Sequence, residues 1–596
     1  WQITNWLSLR AQVSTDITDV KQTLKYESEQ PNSLYDPNGS FQSINRRYDI
    51  VYGDVMLNFN YNINRFDIAA TVGWTGRYEN MNNIRVSTNG GLVTENWFDL
   101  NASRYTPSST LQRMELLKTG YMGTLSLGWD NYLFLELTGR QERSSTLKDQ
   151  SFFYPSANLS FLFTQAFHMP SWWNYGKLRL SYGIVGNAPE TYTANIVYEQ
   201  GSDNGFTWNT IPSSWGNADI RPEKKYEYEI GLESKFLNNR LGIDVSYYNN
   251  RVKDQILSTP QPSTSGVKNV LMNVGEVANH GWDISISATP ILTRDFRWDL
   301  TANYGVYKNK VVKLADGVPY LEILNSGGSG IKIQAVEGQP MGDIYAQVPQ
   351  VNENGEYLVS DKGLYLNQTE LQKVGNINPA GVGGLFNSFS YKNVFLDFSI
   401  DFRIGGDVIN EMNQYATAVG LTPESLKYRD TEHGGLSYYY PGDNNSSGIP
   451  VQVDPSTGVG PNGEIIYHDG IILPGVVAST GERNTRIIPA GYYYNTTYNW
   501  GTEAEQLTYR HSVFDNSYVK LRELTIGYQF PEKMISKLGL GRLSVSVFGR
   551  NLFYFYKALK NYDAESSVGT SWANQATVGS STTATRSFGV SLRASF

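Results

Sequence analysis

Apolar side chains occupy every second position along much of the chain, with polar side chains between them. From Phe296 to Tyr304, the residues Phe, Trp, Leu, Ala and Tyr alternate with Arg, Asp, Thr and Asn. Successive side chains of a β-strand point to opposite faces, so this period of two predicts strands with one apolar and one polar face. The same alternation occurs at 133–138, 226–233, 241–247 and 396–403.

The length of these alternating runs separates a membrane barrel from a soluble sandwich, which shows the same pattern. The runs extend over roughly ten residues or more, the length of a tilted membrane strand, whereas soluble strands average about five or six. The sequence therefore predicts an all-β fold, a transmembrane antiparallel β-barrel.

The connections between the runs are short and long in turn. Short turns are expected at Asn62–Asn64, Asp130–Asn131, Asn238–Asn239, Ile291–Asp295 and Lys392–Asn393, with somewhat longer ones at Ala166–Tyr175 and Pro531–Gly541. Long polar loops are expected at Asn187–Pro222, Val311–Gly381 and Gly405–Asp515. Short periplasmic turns and long outer loops are typical of outer-membrane barrels. Residues 1–596 thus form about sixteen barrel strands, both chain ends lie on the short-turn side, and residues 405–515 form one long extracellular loop region.

Aromatic residues strengthen this interpretation, because they make up 13% of the chain. Tyr and Trp are favoured at the two interfaces of a bilayer. Five tryptophans lie at or near the short turns and are interpreted as a periplasmic girdle, with ordinary aromatic packing as the alternative: Trp6, Trp129, Trp172, Trp173 and Trp298.

The two chain ends are also informative. The segment from Arg586 to Phe596 alternates and ends in Phe, which is typical of the last strand of an outer-membrane barrel. No apolar run reaches about eighteen residues, so no transmembrane helix is predicted. The segment that begins at Trp1 does not have the pattern of a signal peptide, and we expect the natural chain to begin further upstream.

Two local irregularities make specific predictions. Val519 and Leu521 share one face, whereas Leu524 and the apolar residues after it have the opposite parity, so a β-bulge is expected near Arg522–Glu523. In the longest loop, Thr422 is expected to cap a short helix that starts at Pro423.

Catalytic and metal-binding patterns are scarce. The chain has no Cys, which excludes disulfides and thiolate metal sites, and its net charge of −8 argues against nucleic-acid binding. None of its five histidines pairs at metal-binding spacing. We therefore predict no catalytic residues, no metal and no cofactor, although sequence alone leaves a His-based triad open.

Two glycine- or acid-rich segments are interpreted as loops. Gly458, Gly460 and Gly463 spell G-x-G-x-x-G, but Pro455 and Pro461 interrupt the strand and helix that a nucleotide-binding motif needs. The stretch Asp443–Asn445 lacks the EF-hand spacing, so a solvated turn is favoured over a calcium site.

Several segments, in order along the chain, resemble the SusC/RagA family of TonB-linked outer-membrane transporters. The resemblance rests on SYGIVGN at 181–187, RPEK at 221–224 with YEIGL at 228–232, NVGEV at 273–277 with NHG at 279–281, EGQPMG at 337–342, SYVKLR at 517–522 and GRNL at 549–552. The segment GNINP at 375–379 departs from the more usual GDxNP.

The resemblance implies a larger protein. Members of that family have a barrel of about twenty-two strands, an N-terminal plug and a TonB-binding segment, so the plug and the first strands are expected to be missing before Trp1. They act in the outer membrane with a SusD-like surface lipoprotein as a lid. With TonB, they import oligosaccharides or oligopeptides.

Substrate is expected near the outer loops, because sugars stack on aromatic rings. Loop aromatics are therefore candidate substrate contacts, with packing between loops as the alternative: Trp215, Tyr438, Tyr439, Tyr493 and Trp572. Competing functions are a passive porin of about sixteen strands, a receptor for another ligand such as a siderophore, and an outer-membrane adhesin or enzyme.

Overall fold

The protein is all-β, as the alternation predicts. In the computed structural model, strands account for 59% of the chain and helices for 8%. The structure describes residues 1–29, 36, 38–148, 150–203, 206–326, 330–442, 448–499, 508–567, 569, 571–579 and 584–595. Asp443–Asn445, the candidate calcium segment, and Phe596, the last residue, lie outside the described residues.

The strands in chain order are β1 (Gln2–Thr4), β2 (Leu7–Tyr26), β3 (Ser40–Ile63), β4 (Phe66–Leu92), β5 (Ser103–Trp129), β6 (Leu133–Ser144), β7 (Ser151–Phe161), β8 (Trp173–Asn187), β9 (Glu199–Asp203), β10 (Phe206–Thr210), β11 (Ser214–Trp215), β12 (Glu223–Phe236), β13 (Leu241–Lys253), β14 (Ile256–Pro260), β15 (Asn269–Asn273), β16 (Glu276–Leu292), β17 (Phe296–Lys313), β18 (Tyr320–Ser326), β19 (Ile331–Val336), β20 (Asp343–Ala346), β21 (Leu358–Val359), β22 (Gln372–Asn376), β23 (Gly381–Tyr391), β24 (Val394–Ile404), β25 (Asp407–Ile409), β26 (Leu436–Tyr439), β27 (Val451–Gln452), β28 (Tyr467–Ile471), β29 (Val476–Val477), β30 (Ile488–Pro489), β31 (Val513–Asp515), β32 (Tyr518–Gln529), β33 (Arg542–Lys557) and β34 (Ser587–Ser595).

The helices are short. The α-helices are α1 (Phe163–Ala166), α2 (Glu411–Ala418), α3 (Ala490–Tyr498) and α4 (Glu532–Ile535). The 3₁₀ turns are Leu100–Ala102, Ser263–Ser265, Pro423–Leu426, Tyr509–Ser512, Ser536–Leu538 and Asn574–Ala576. Within the described ranges, no helix is long and apolar enough to cross a lipid bilayer.

Backbone contacts divide the chain into two units. The first unit comprises Trp1–Lys235, Ser246–His280 and Ala315–Val318. The second unit comprises Phe236–Val245, Gly281–Leu314 and Pro319–Phe596.

An antiparallel meander forms the wall of the first unit. Strands β2 to β8 pair with their neighbours in chain order, and β8 also pairs with β12. The predicted short turns join these strands: Asn64, Asp130 and Asn131 have φ angles of +54°, +52° and +60°. Asn and Asp tolerate this left-handed backbone better than other non-glycine residues, so their placement explains the tight reversals.

The two faces of this meander are inverted relative to a soluble protein. Large apolar side chains such as Val72 (62% exposed) and Leu57 (42%) lie exposed, whereas Asp54, Thr75 and Glu79 on the opposite face are 3%, 4% and 9% exposed. A soluble protein rarely leaves a continuous apolar face in water. Outward apolar and inward polar residues are the arrangement that a bilayer-spanning barrel requires.

Strand β4 shows the height of the apolar face. Its outward residues from Phe66 to Tyr78 are mainly apolar, and the next outward residues are Asn80 and Asn82. At about 3.4 Å per residue and a tilt of about 40°, the interval from Phe66 to Tyr78 spans about 30 Å along the bilayer normal. This height matches a bilayer core of about 30 Å, and the rest of β4 continues beyond it.

Many charges on the strands of the first unit are paired within one strand. Arg77 contacts Glu79 at 2.6 Å, and Arg140 contacts Glu142 at 2.8 Å. Residues i and i+2 of a strand share a face. The sequence pattern cation–x–acid therefore neutralises charge locally on the polar face of the wall.

The wall of the second unit is also antiparallel. Strands β17, β23, β24, β32, β33 and β34 pair in that order. In the pairing of β24 with β32, Ser399 is opposite Glu523 and Ile400 is opposite Leu521, which leaves Arg522 as an extra residue. The predicted β-bulge is therefore confirmed.

Strand β34 confirms the alternation predicted for the end of the chain. Phe588, Val590 and Leu592 are 74%, 71% and 68% exposed, and all three lie on one face. The strand pairs with β33 along its whole length.

The long loops of the second unit carry their own secondary structure. Strands β18, β19, β20 and β22 form one small sheet, and β27, β26, β28 and β30 form another. Pro423–Leu426 forms the predicted helical turn, but Thr422 does not cap it. The Thr422 hydroxyl lies 2.9 Å from the Thr417 hydroxyl instead, because α2 packs beside this turn.

Candidate functional site

The outer-loop segments of the second unit pack into ordered cores. Ile331, Ile333 and Ile344 of the first small sheet are fully buried and pack in one core with Ala573 and Ala576, which come from the loop between β33 and β34. The backbone N–H of Val578 in that loop donates to the Ile409 carbonyl at 2.8 Å. Segments that are distant in sequence therefore pack together. The described residues of the loops β17–β23, β24–β32 and β33–β34 are here called the loop assembly.

The GNINP segment fastens this assembly to its neighbours. The Asn376 amide donates to Asp343 at 2.6 Å, and the Asn378 amide donates to the Met341 carbonyl at 2.6 Å. Tyr307 donates its hydroxyl to Asn378 at 2.8 Å. The GNINP segment thus has a structural role, because its side chains join loop to strand.

An ionic clamp, Lys520, Arg522, Asp401 and Glu565, holds the β33–β34 loop against the wall. Because Arg522 is the bulged residue, its guanidinium reaches both Asp401 at 2.5 Å and Glu565 at 2.6 Å. Lys520, whose side chain is 2% exposed, contacts Glu565 at 2.6 Å. Burial acts to raise the pKa of Glu565, but hydrogen bonds from Arg522 and Lys520 outweigh it and lower this pKa to about 2. Glu565 is therefore ionised at neutral pH.

Two triple-tyrosine runs meet in the loop assembly. Tyr438 lies on β26, stacks on Tyr467 with ring centroids 5.5 Å apart and donates its hydroxyl to Asp469 at 3.1 Å. On α3, Tyr493 lies 5.1 Å from Tyr494, centroid to centroid. Burial raises the pKa of both Tyr438 and Tyr493, so both phenols stay protonated.

A second aromatic contact joins α3 to the turn after it. The ring of Tyr498 stacks on that of His511 at 4.5 Å. Burial, assisted by the charge of Arg510, lowers the pKa of His511 to about 4. His511 is therefore neutral at physiological pH, because burial disfavours its charged form.

An open cleft of about 370 Å³ lies where the two tyrosine runs meet. The described residues that line it are Lys362, Tyr440, Gly448, Pro450, Arg486, Ile487, Ile488, Pro489 and Tyr492. The cleft combines two cationic side chains with two phenol rings and a small apolar wall. Rings, an apolar wall and a few polar groups are the usual lining of a small-molecule site.

The five candidate substrate contacts are not brought together in one place. Trp215 lies in the first unit, on β11, with its ring 6.0 Å from that of Tyr198. Tyr438, Tyr439 and Tyr493 lie in the loop assembly, but Tyr438 is 1% exposed and serves as packing beneath the cleft.

Trp572, the fifth candidate, is 37% exposed and packs over Gly342. A Cβ at Gly342 would come within 2.9 Å of the Trp572 ring. A role in substrate contact stays a prediction for all five residues.

Sequence reasoning missed the residues that line the cleft. The tyrosines that line the cleft are Tyr440 and Tyr492. In each triple-tyrosine run, sequence reasoning selected neighbours of these residues instead. Tyr440, the third member of its run, follows the last residue of β26 and lies two positions after Tyr438, so the period of two was a signal that relates these two rings. Arg486 and Lys362 had no local signal, because their proximity depends on how distant loop segments pack.

Histidine chemistry receives little support. Ser437 lies 2.8 Å from His468 Nδ1, yet Ser437 is 2% exposed, and the neighbouring Asp469 accepts from Tyr438. In the described part of the chain, no group of three or more His, Asp and Glu side chains is placed to hold a metal ion.

The G-x-G-x-x-G segment is a loop, as predicted. No strand immediately precedes it and no helix follows it, and Gly463 has a φ of +88°. Glu464 accepts from the backbone N–H of Asn462 at 2.8 Å and of Gly442 at 3.3 Å. Because a carboxylate of the chain itself binds these N–H groups, the segment is a structural turn.

Comparison with known proteins identifies relatives. The sequence is 24% identical over 494 residues to TonB-dependent receptor P3 of Formosa agariphila, covering 75% of this chain and 42% of that protein. It is 30% identical over 247 residues to TonB-dependent receptor SusC of Bacteroides thetaiotaomicron, covering 38% of this chain and 24% of that protein. The chain thus spans less than half the length of these two relatives.

A solved structure of the RagAB peptide transporter has a similar fold. The TM-score is 0.69 at 19% identity, covering 94% of this chain and 58% of that chain. The family described as TonB-dependent receptor-like, beta-barrel matches residues 1–349, more than half of the sequence. With the inverted faces and the antiparallel walls, this match shows that the chain belongs to the TonB-dependent receptor β-barrel family of the outer membrane.

Proposed function

We propose that this chain is the barrel portion of an outer-membrane importer that takes up oligomeric nutrients with energy delivered through TonB. The ordered loop assembly of the second unit carries the proposal. Its buried cores and ionic clamp hold the loop segments in fixed positions, which supports a receptor role because a receptor needs a preformed surface. We further propose that a plug and additional strands complete the barrel in the whole protein.

A SusD-like surface lipoprotein is the proposed partner. Support comes from an exposed apolar segment of the first unit around the β9–β10 hairpin. Tyr198, Phe206 and Trp208 are 62%, 78% and 46% exposed there. Exposed aromatic clusters mark protein contacts, and the resemblance to SusC and RagA names a lid as the occupant.

Oligosaccharides are the proposed cargo. The loop assembly offers tyrosine rings beside cationic and amide side chains, the combination that stacks on sugar rings and hydrogen-bonds to their hydroxyls. A passive porin is the second candidate, and the long loop that carries α2 and α3 is the observation that favours it, because a porin narrows its channel with one long loop.

Energy dependence separates the two functions. Cells that express the complete protein are given fluorescent oligosaccharides, with and without a protonophore that removes the energy source of TonB. Importer function predicts that uptake stops with the protonophore and that a lipoprotein co-purifies in mild detergent. Uptake that continues unchanged, with no lipoprotein attached, would establish the passive pore instead.

A further inference from the structure

The apolar face of the second unit can be followed from strand to strand by register. Val590 on β34 is 71% exposed. A row of directly paired residues leads from it to β17: Val590, Val547, Ile526, Leu396, Phe389 and Trp298. Residues directly opposite each other on neighbouring strands lie on the same face of a sheet. Trp298 and the other even-numbered residues of β17 therefore lie on the face that lipid covers.

Two lysines end this apolar face on β17. From Phe296 to Val306 its residues are Phe, Trp, Leu, Ala, Tyr and Val, and the next two on the same face are Lys308 and Lys310. At about 3.4 Å per residue and a tilt of about 40°, the interval from Phe296 to Val306 spans about 26 Å, the height of the apolar band of an outer-membrane barrel. The two lysines then follow about 5 and 10 Å further out, at the level of the lipid headgroups.

Connection lengths show which end of β17 is outside. Three residues, 293–295, join β16 to β17, whereas the connection from β17 to β23 runs from 314 to 380. Outer-membrane barrels have short periplasmic turns and long extracellular loops. Lys308 and Lys310 are near the long-loop end of β17 and therefore lie at the outer leaflet.

The side chains beside these lysines on β17 contact the loop assembly. Tyr307 donates its hydroxyl to Asn378 at 2.8 Å, and Asn309 accepts from the backbone N–H of Met341 at 2.7 Å. Because successive side chains of a strand point to opposite faces, these contacts direct both lysines away from the loop assembly. Both lysines are exposed, and among the described residues no acidic side chain pairs with either of them.

Uncompensated cations do not follow the apolar face on every strand. On β4 of the first unit, the next two residues of that face are asparagines. On β3, Arg47 is neutralised by Asp49 at 3.0 Å. The two ammonium groups of β17 therefore form a local positive charge, and lysine binds phosphate as a point charge.

We propose that Lys308 and Lys310 bind the phosphate groups of an anionic lipid in the outer leaflet, so that β17 holds this lipid against the barrel. Tyr304, on the same face, stacks on Phe402 with ring centroids 6.2 Å apart and offers a surface for the acyl chains. A lipid is favoured over free phosphate, because the cations continue an apolar face that acyl chains cover. The inference goes beyond import and does not depend on the cargo.

Matched lipids test the charge. The complete protein with its co-purified partners is freed of lipid in mild detergent and titrated with diphosphoryl lipid A, monophosphoryl lipid A and phosphatidylcholine, and bound lipid is counted by native mass spectrometry. Diphosphoryl lipid A should bind at least about tenfold more tightly than phosphatidylcholine, with monophosphoryl lipid A between them. The preference should decrease as salt is raised. Inorganic phosphate at the same concentration should not displace the lipid.

Variants connect the binding to β17. Replacing both lysines, Lys308→Gln with Lys310→Gln, should weaken diphosphoryl lipid A about 30-fold, about fivefold for each lysine, and leave phosphatidylcholine unchanged. Lys308→Arg with Lys310→Arg keeps the charge and should retain the lipid. The control is Lys533→Gln with Lys537→Gln, which removes two exposed lysines from the short connection between β32 and β33 and should change nothing. If the double Gln variant does not assemble, Lys308→Gln alone should weaken the lipid about fivefold.

Four results would overturn the inference. They are equal binding of lipid A by the wild type and the double Gln variant, an equal loss in the control variant, displacement by inorganic phosphate, and loss of a co-purified protein instead of the lipid. The last result would assign the two lysines to a protein contact. Protonophore-sensitive uptake in the same variants would leave the proposed import function standing in each case.

Discussion

Replacing Glu565 by Gln should loosen the β33–β34 loop, because Lys520 would keep a buried charge without its carboxylate. The Lys520 side chain is 2% exposed and lies 2.6 Å from Glu565, which is itself 34% exposed. Breaking a fully buried pair costs about 3–5 kcal/mol. Since water reaches one partner, we expect about 2–3 kcal/mol, which corresponds to a roughly 30- to 150-fold increase in loop opening.

Hydrogen exchange followed by mass spectrometry measures this opening in peptides that cover 557–567 and 571–579. Glu523→Gln is the control, since the pair of Glu523 with Arg550 is 39% and 57% exposed and should contribute less than about 1 kcal/mol. Combining Glu565→Gln with Lys520→Met should recover most of the protection, because no unpaired charge remains. Equal exchange in the Glu565 and Glu523 variants would show that the clamp does not hold the loop.

Acidification and added side chains test two other contacts. The pKa of His511 falls from 6.5 unfolded to about 4 folded, so the stability contributed by the neutral ring is complete above about pH 6.5 and decreases as pH falls to 4, by up to about 3 kcal/mol. Exchange in the Tyr498 peptide, corrected for intrinsic rates, should rise over that range in the wild type and stay flat in His511→Phe. Gly342→Ala should cost about 1–3 kcal/mol, because φ is +93° and the new methyl group meets both Ile377 and Trp572. Gly338 has a φ of +80° and open space around it, so Gly338→Ala measures the cost of backbone strain alone. Equal losses of loop protection in the two variants would therefore exclude the Trp572 contact as the cause.

Most strands of the two antiparallel walls could be predicted from short stretches of sequence. Alternation and turn residues such as Asn64 and Asp130 are properties of neighbours in sequence, and so is the parity change that revealed the bulge at Arg522. The cap at Thr422 was predicted wrongly, because the competing partner, Thr417, belongs to a helix whose packing the local sequence does not specify.

The candidate site was less predictable, because its parts are far apart in the chain. Lys362 and Arg486 meet across more than a hundred residues, through loops whose order depends on buried tyrosines. Composition indicated aromatic loops but not which rings face a cleft. Thus Tyr438 was chosen from a run in which Tyr440 lines the surface.

The length of strands β3 to β5 has a mechanical consequence. From Tyr78 to Leu92, β4 continues for fourteen residues beyond the apolar face, which is about 35 Å of height at the same tilt. Backbone hydrogen bonds run across all three strands over most of this distance. A ribbon that is cross-linked by hydrogen bonds in this way bends little. A force applied at its tip would therefore move the strands at the membrane rim, rather than being absorbed by a soft loop.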